Sequence, residues 1–212
     1  MPSFEEASAL AFGTVVLAAG RSRRMGRPKL LLPWDASSVL GHLLAQWREL
    51  GAGQIVVVAA TEDRGIEAEC VRLNFPAGQL ILNPWPERGM FSSIRCAARW
   101  TGWRRELTHW AIVLGDQPHL RRQTLQQVLA LCRLNPDKIC QPAYLGHRRH
   151  PVLMPKSVFH QLAESDASDL KAFLAAMPEQ IVSCSVEDPG LDLDIDRPAD
   201  YEKALELARA TI

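Results

Sequence analysis

Short runs of β-branched and small apolar residues alternate along this sequence with segments of helical spacing, and this alternation restricts the fold more than any other feature. The clearest apolar runs fill residues 14–19, 54–60 and 108–114. Shorter strands are expected at residues 79–82 and 180–186, with short strands or loops around 150–154. Helical patterns occupy residues 37–50, 65–73, 92–100, 122–134, 156–163, 168–176 and 197–210. Because strands that are apolar on both sides must be covered on both sides, the pattern predicts an α/β fold, with a mostly parallel sheet between two layers of helices.

The size and charge of the chain agree with one such unit. A length of 212 residues, of which 47% are hydrophobic, is enough for one substantial core, so we expect a single domain over residues 1–212. The 24 basic and 24 acidic residues balance. A neutral chain is a poor candidate for general adsorption to nucleic acid or to a membrane surface, and neither is expected as a partner.

The cysteines and the first residues indicate a cytoplasmic protein. Five cysteines are scattered without C-x-x-C spacing, which is typical of reduced thiols in the cytosol. The first thirteen residues include Glu5 and Glu6 and no basic residue, unlike a signal peptide. No apolar run approaches the ~20 residues of a membrane span.

Three polar segments follow apolar runs or approach the end of the chain, at the places where an α/β sheet binds ligands. Ligands of such sheets bind beyond the carboxyl ends of the strands. The segments are "GRSRRMGRPK" (20–29), "GDQP" (115–118) and "DLDIDRP" (192–198). We therefore expect these segments to meet at one edge of the sheet.

The first segment combines two glycines with a cluster of positive charge. Gly20 and Gly26 allow the backbone N–H groups to approach an anion closely. Its cations are Arg21, Arg23, Arg24, Arg27 and Lys29. The spacing does not match the G-x-x-x-x-G-K-[ST] phosphate loop. It also does not match the G-x-G-x-x-G motif of nicotinamide-dependent dehydrogenases, and this mismatch disfavours the dehydrogenases as a rival class of enzyme. A solvated basic turn is the alternative, but the position after a buried first strand favours a polyphosphate site.

The carboxylates of the other two segments are candidate ligands for a divalent cation. Asp116 leaves a strongly apolar strand, where it can hold magnesium or simply serve as a turn or capping residue. Asp192, Asp194 and Asp196 stand at alternate positions, so in an extended strand all three would face the same way. A solvent-exposed edge strand, with Asp196 capping the last helix, is the alternative.

Two further polar loops could contact a ligand. In "NPWPERGMFSSI" (83–94), Ser92 and Ser93 could bond a base, a ribose or a phosphate, or could cap a helix. In "GHRRHPVLM" (146–154), the cations precede a strand, and the glycine and proline argue against a helical metal site. This segment is therefore interpreted as a second anion-binding loop or as a solvated turn.

The motifs together resemble those of the nucleotidyltransferases that attach a nucleotide to molybdopterin. "LAAGRSRRMGRPK" (17–29) resembles that family's pattern L-A-[AG]-G-x-S-x-R-M-G-x-x-K, and "GMFSSI", "GDQP", "HPV" and "DIDRPADYEKAL" follow in the family's order. The sequence departs from the family at Phe91, where serine is common, and at Arg149–His150, where a glycine is common before "HPV".

The resemblance implies a fold and a reaction. The fold would be a Rossmann-like sheet of the nucleotide-diphospho-sugar transferase type. The reaction would be attack by the terminal phosphate of molybdenum-molybdopterin on the α-phosphorus of a nucleoside triphosphate, with loss of pyrophosphate and with Mg²⁺ as cofactor. Ala19 resembles the "LAAG" of the cytidylyltransferases rather than the "LAGG" of the guanylyltransferases, which implies CTP and molybdopterin cytosine dinucleotide.

The resemblance also implies roles for individual residues. Catalytic roles fall to Arg24, Lys29 and Asp116. The nucleotide would be bound by Leu17, Ala18, Ala19, Gly20, Lys29, Ser92 and Ser93. The acceptor would be bound by Arg148 and His150, and the metal by Asp116 with Asp196 or Asp194. A molybdoenzyme or its maturation chaperone is a possible partner. A nucleotidyltransferase acting on a sugar phosphate and a non-catalytic cofactor-handover protein are the alternatives.

Overall fold

An eight-stranded sheet forms the centre of the computed structural model, which describes residues 10–20 and 25–210. The strands of this sheet are β1 (Phe12–Leu17), β4 (Gln54–Ala60), β5 (Leu80–Asn83), β6 (His109–Leu114), β7 (Ile139–Tyr144), β8 (His147–Arg148), β9 (Val152–Pro155) and β10 (Ile181–Ser185). A separate hairpin pairs β2 (Pro33–Trp34) with β3 (Ser37–Ser38). The helices are α1 (Val39–Glu49), α2 (Arg64–Arg72), α3 (Met90–Arg99), α4 (Arg122–Leu134), α5 (Lys156–Gln161), α6 (Leu170–Ala175) and α7 (Pro198–Arg209).

The strand order confirms the predicted mostly parallel α/β sheet. The order is β10-β7-β9-β6-β1-β4-β5, with β8 paired to β7. The pairs β1–β4, β1–β6, β4–β5 and β7–β10 are parallel. β9 runs antiparallel between β6 and β7. Because β1, β4, β5 and β6 run the same way, their carboxyl ends lie along one edge of the sheet.

Helices cover both faces, as the apolar strands predicted. In β1, Val16 faces a core built with α1, α2, α4 and α7. The neighbouring residues Val15 and Leu17 face the opposite core, which α3, α5 and α6 complete. Val15 and Val16 are both fully buried. Burial of each such side chain contributes about 1.5–3 kcal/mol, so these short strands fix the orientation of the loops that follow them.

Several local elements differ from the prediction, among them the start of α1 and strand β7. The helix expected from residue 37 begins at Val39, because Ser38 caps it by accepting a hydrogen bond from the Gly41 N–H at 3.0 Å. β7 was not predicted as a separate strand, since Gln141 and Pro142 interrupt its apolar pattern. Proline lacks an N–H, and β7 tolerates it because its pairing with β9 is confined to Cys140.

No helix in the described part of the chain combines the length and the apolar character needed to cross a membrane.

Candidate active site at the carboxyl edge of the sheet

A cavity of about 470 Å³ lies at the ends of β1 and β6. Six of the residues predicted from the sequence line it: Leu17, Ala19, Gly20, Lys29, Ser93 and Asp116. Pro86, Glu87, Gly89 and Met90 close another side. A second cavity of about 510 Å³ shares Ala19, Gly20, Pro86 and Glu87 with the first and extends to the ends of β4 and β5. The two cavities together offer a continuous space at the sheet edge.

Lys29 links the first segment to both acidic segments. It begins a short 3₁₀ turn, Lys29–Leu31, after the extended Pro28. Its ammonium lies 2.5 Å from Asp116 Oδ2 and 3.5 Å from Asp196 Oδ1. Only 13% of the Lys29 side chain is exposed, so this charge is held in the cavity wall rather than in bulk water. The expected meeting of the three polar segments is therefore confirmed for Lys29, Asp116 and Asp196.

The acidic segment near the end of the chain takes a different form from the one expected. It is not a strand: residues Pro189–Asp192 form a 3₁₀ turn, and irregular backbone follows up to α7. The Ile195 N–H donates to the Asp116 backbone carbonyl at 3.2 Å and so holds the segment against β6. Asp192 turns aside to bind Arg149. The side chains of this segment alternate: Leu193 and Ile195 enter the core, and the aspartates beside them stay outside it.

Asp194 lies beside the Lys29 site but is bonded elsewhere. Its Oδ1 accepts a hydrogen bond from Gln117 Nε2 at 2.9 Å. Asp194 is exposed as a residue. Partial burial of its carboxyl group, followed by repulsion from the Asp116 carboxylate, raises the pKa of Asp194, and the Gln117 hydrogen bond opposes this rise.

The oxygen ligands fit a hard divalent cation. Asp116 and Asp196 already share one cation, the Lys29 ammonium, and both present carboxylate oxygens. Among the described residues, no three His, Cys, Asp or Glu side chains form a preformed metal cluster. Magnesium ordinarily takes one or two protein carboxylates and completes its shell with phosphate oxygens and water, so a pair of carboxylates suits it.

The two serines of the third loop have different surroundings. α3 begins at Met90 with Gly89 as its N-cap, so the expectation that Ser92 or Ser93 caps this helix is wrong. Both hydroxyl groups accept hydrogen bonds from Asn83 Nδ2, at 2.8 and 3.0 Å. Ser92 Oγ also lies within donating distance of the backbone carbonyls of Trp85 and Gly89, which turns it inward. Ser93 lines the first cavity, near the uncapped amino end of α3.

Of the remaining predicted residues, Ala18 does not contribute as expected, and Arg24 is not described. Ala18 is fully buried, and its N–H donates to the Val58 carbonyl at 2.8 Å, so the row of N–H groups open to a ligand can begin only after it. The reason is that the sheet pairing of β1 continues one residue past the strand. Arg24 lies outside the described residues, together with Arg21 and Arg23.

Arg148 and His150 line a third cavity of about 570 Å³, which touches the first cavity at Met90. Burial lowers the pKa of His150, whose Nδ1 lies 3.3 Å from the Ile112 carbonyl and therefore donates to it. Arg148 is exposed, and Lys171 lies on the same cavity wall. The cavity thus joins a basic rim to an apolar floor that includes Val152 and Leu174.

The residues that sequence reasoning missed act by holding others. Asn83 fixes both serines, and Gln117 fixes Asp194. Gln117 belongs to "GDQP", so its position after β6 was available as a signal. Asn83 is fully buried at the end of β5, and only the three-dimensional contacts reveal its partners.

The fold and this edge define a class of protein. A lysine, two carboxylates, a glycine turn and an uncapped helix terminus surround a space at the carboxyl ends of parallel strands, where such sheets bind nucleotides. These are groups that bind polyphosphate and a divalent cation together, and the site is that of a nucleotide-handling α/β protein.

Comparison with known proteins gives the family. Residues 14–181 match the MobA-like NTP transferase domain, and the chain belongs to this family of nucleotidyltransferases. The likeness of its structure to solved nucleotidyltransferases confirms the expected nucleotide-diphospho-sugar transferase type of fold.

Individual relatives cover different shares of the chain. It is 26% identical to the molybdenum cofactor cytidylyltransferase of Escherichia coli K12 over 197 residues, 92% of this chain and 96% of that protein. A stretch of 43 residues is 51% identical to the molybdenum cofactor guanylyltransferase of Xanthomonas euvesicatoria pv. vesicatoria (strain 85-10), covering 20% of this chain and 23% of that protein.

Among solved structures, Rv0371c of Mycobacterium tuberculosis H37Rv is similar with a TM-score of 0.70 at 26% identity, over 94% of this chain and 100% of that one. The same mycobacterial protein has a structure in complex with manganese, which is similar with a TM-score of 0.65 at 24% identity, over 92% of this chain and 98% of that one.

Proposed function

We propose that this chain is a divalent-cation-dependent cytidylyltransferase that transfers CMP from CTP to the terminal phosphate of molybdenum-molybdopterin. The products are molybdopterin cytosine dinucleotide and pyrophosphate. The single observation that carries the proposal is Lys29, whose ammonium lies between Asp116 and Asp196 beside the Ala19–Gly20 turn. The Escherichia coli relative, which is named a molybdenum cofactor cytidylyltransferase and aligns with almost the whole chain, supports the choice of substrates.

The chemistry needs little from the protein beyond position and charge. An oxygen of the acceptor phosphate forms a bond to the α-phosphorus of CTP, and the bond from that phosphorus to the β-phosphate oxygen breaks. The pyrophosphate leaves with the electron pair of the broken bond. Because a phosphate monoester has a second pKa of about 6, the acceptor is already mostly dianionic at neutral pH. No general base is required, and catalysis consists of alignment and neutralisation of charge.

The residues of the first cavity have distinct tasks in this proposal. Lys29 binds phosphate oxygens as charge builds on the leaving pyrophosphate, and Arg24 assists it as the family resemblance implies. Asp116 and Asp196 hold the divalent cation, with Asp194 as a neighbouring carboxylate. When bound, the cation neutralises phosphate charge and helps to align the two substrates. We take the cation to be Mg²⁺, and the manganese complex of the mycobacterial protein supports a divalent metal in this fold.

The adjoining cavities support a placement of the two substrates. Leu17, Ala19, Gly20 and Ser93 contact the nucleotide from the first cavity, and its base extends into the second. Arg148 and His150 contact the acceptor from the third cavity, whose basic rim and apolar floor suit a phosphorylated ring compound. Met90 lies between the nucleotide and acceptor spaces, so the two reacting phosphates meet near it.

A guanylyltransferase is the second candidate, because one short stretch of the chain is 51% identical to a molybdenum cofactor guanylyltransferase. Ala19 favours CTP over GTP by the family resemblance. A sugar-phosphate acceptor and a non-catalytic handover role remain further alternatives. We expect the enzyme to act in the cytoplasm and to pass its product to a molybdoenzyme or its maturation chaperone.

Nucleotide choice separates these candidates. We predict that kcat/KM, measured as pyrophosphate release with molybdopterin and magnesium present, is much higher for CTP than for GTP. A pocket that hydrogen-bonds one base leaves buried polar groups unpaired with another, which gives strong discrimination. A preference for GTP would remove the cytidylyl assignment and keep the reaction type, and turnover with neither nucleotide would remove the proposed function.

A further inference from the structure

Asp188 is a buried carboxylate that lines none of the cavities described above, and only 2% of it is exposed. Its Oδ2 accepts hydrogen bonds from the backbone N–H of Arg121 at 3.1 Å and from the Thr124 hydroxyl at 2.7 Å. Its Oδ1 accepts one from the backbone N–H of Gly190 at 3.0 Å. Arg121 Nε lies 3.9 Å from the same oxygen. A buried carboxylate persists only with donors of this kind, so Asp188 ties the start of α4 to the turn at Gly190.

Further bonds join the same two parts of the chain. His119 Nε2 donates to the Gly190 carbonyl at 3.0 Å. A Cβ at Gly190 would come within 2.8 Å of the His119 ring, so the close approach of the two segments depends on glycine there. Nearer the active site, Gln117 bonds Asp194 and the Ile195 N–H bonds the Asp116 carbonyl. We call this set of contacts, between residues 116–124 and residues 188–195, the edge clamp.

The edge clamp, together with the buried side chains of Leu193 and Ile195, positions a segment that has little regular structure of its own. Beyond β10 the chain forms only the 3₁₀ turn Pro189–Asp192 before α7 begins, so no strand pairing holds Asp194 or Asp196 in place. Asp188 stands at the start of this segment and accepts more of the clamp's hydrogen bonds than any other side chain in it. The Asp196 N–H also donates to Asp200 Oδ2 at 3.2 Å, so the distance between the Asp196 and Asp116 carboxylates depends on the clamp together with this contact at the start of α7.

We propose that Asp188 is a positioning residue of the divalent-cation site, acting through the edge clamp to hold Asp194 and Asp196 against Asp116. This inference rests on the proposed function, because the cation belongs to that function. Asp188 contacts neither the cation nor a substrate. Its effect is to keep the Asp194 and Asp196 carboxylates in the geometry that one cation requires. Residues that hydrogen-bond metal ligands in other proteins hold those ligands in the same way.

Two substitutions test the clamp from its two sides. Asp188→Asn keeps the shape of the side chain but replaces an accepting oxygen with a donating amide, so one clamp donor loses its partner. Thr124→Val keeps the volume and removes a single donor to Asp188. Ser38→Ala is the matched control, because it removes a buried hydrogen bond at the start of α1 and touches no residue of the clamp.

The first readout is hydrogen–deuterium exchange, which does not depend on activity. We expect faster exchange of the amides in residues 190–195 for Asp188→Asn and Thr124→Val, and unchanged exchange there for Ser38→Ala. The second readout is isothermal titration of Mn²⁺ or Mg²⁺ in the presence of CTP. We expect the metal affinity to fall about tenfold in the two clamp variants, while Ser38→Ala keeps the wild-type affinity.

The outcomes separate this inference from the proposed function. Unchanged exchange in both clamp variants overturns the clamp itself. Faster exchange with wild-type metal affinity overturns the positioning role. If Asp188→Asn does not fold, Thr124→Val decides by the same two readouts. If the wild-type chain binds no divalent cation with CTP, the proposed metal-dependent function fails and the positioning role fails with it, while the exchange result still shows whether Asp188 anchors the segment.

Discussion

At the scale of single residues, the site depends on charges that are kept close together. Lys29 is largely buried between two carboxylates, and Asp194 beside it has a raised pKa because of burial and its like-charged neighbours. In a pocket of low dielectric constant, such charges act more strongly on a phosphate than they would in water. The sequence predicted Asp116 from its place after a strongly apolar strand, and Lys29 from the glycine-rich basic segment and its resemblance to the family motif.

Replacing Lys29 should therefore have a large effect on turnover. We expect Lys29→Ala to lower kcat/KM on the order of 10² or more, since a preorganised cation on a developing phosphate charge contributes several kcal/mol. Arg27→Ala is the control: Arg27 is exposed in the same basic turn and should keep most of the wild-type value. Steady-state kinetics with CTP measure both. Equal rates for the two variants and the wild type would mean that this segment is only a solvated basic turn.

At the scale of helices and strands, the apolar pattern predicted which segments lie in the core. Local hydrogen bonds decided where the other elements begin and end. The runs at β1, β4 and β6 appear where expected because their burial outweighs every local alternative. β7 was missed because Pro142 and Gln141 obscure its pattern. The caps of α3 were predicted wrongly because Ser92 finds carbonyl partners inside the loop, and Gly89 takes the N-cap position with φ +84° and ψ 178°.

The backbone of Gly89 provides a test at this scale. Few residues other than glycine adopt such a conformation, so Gly89→Ala should destabilise the protein by about 1–3 kcal/mol and raise KM for CTP by moving the amino end of α3. Gly78→Ala is the matched control, because Gly78 also has open space around its Cβ position but lacks a positive φ. Urea unfolding of both variants measures the difference. Equal stability of the two variants would show that the backbone conformation at residue 89 does not require glycine.

At the scale of the whole molecule, the site exists because distant parts of the chain meet. Lys29, Asp116 and Asp196 come together from segments that are 87 and 167 residues apart when counted from Lys29. The sequence predicted this meeting from the rule that parallel strands end at one edge. The edge clamp could not be predicted, since Asp188 and its partner Thr124 are 64 residues apart and no periodic pattern connects them. The assignment of residues 1–212 to one domain stays a prediction.

We propose that this edge of the sheet joins CMP to a phosphorylated pterin with the help of a divalent cation. The most direct measurement is mass spectrometry of the products after incubation with molybdopterin, magnesium and each of the four nucleoside triphosphates. Parallel reactions contain Asp116→Asn, or Asp137→Asn as a control with the same chemical change at the opposite edge of the sheet. We predict molybdopterin cytosine dinucleotide from CTP with the wild type and with Asp137→Asn, and almost none with Asp116→Asn or after magnesium is chelated. Undiminished product from Asp116→Asn, or no dinucleotide from the wild type with any nucleotide, would contradict the proposal.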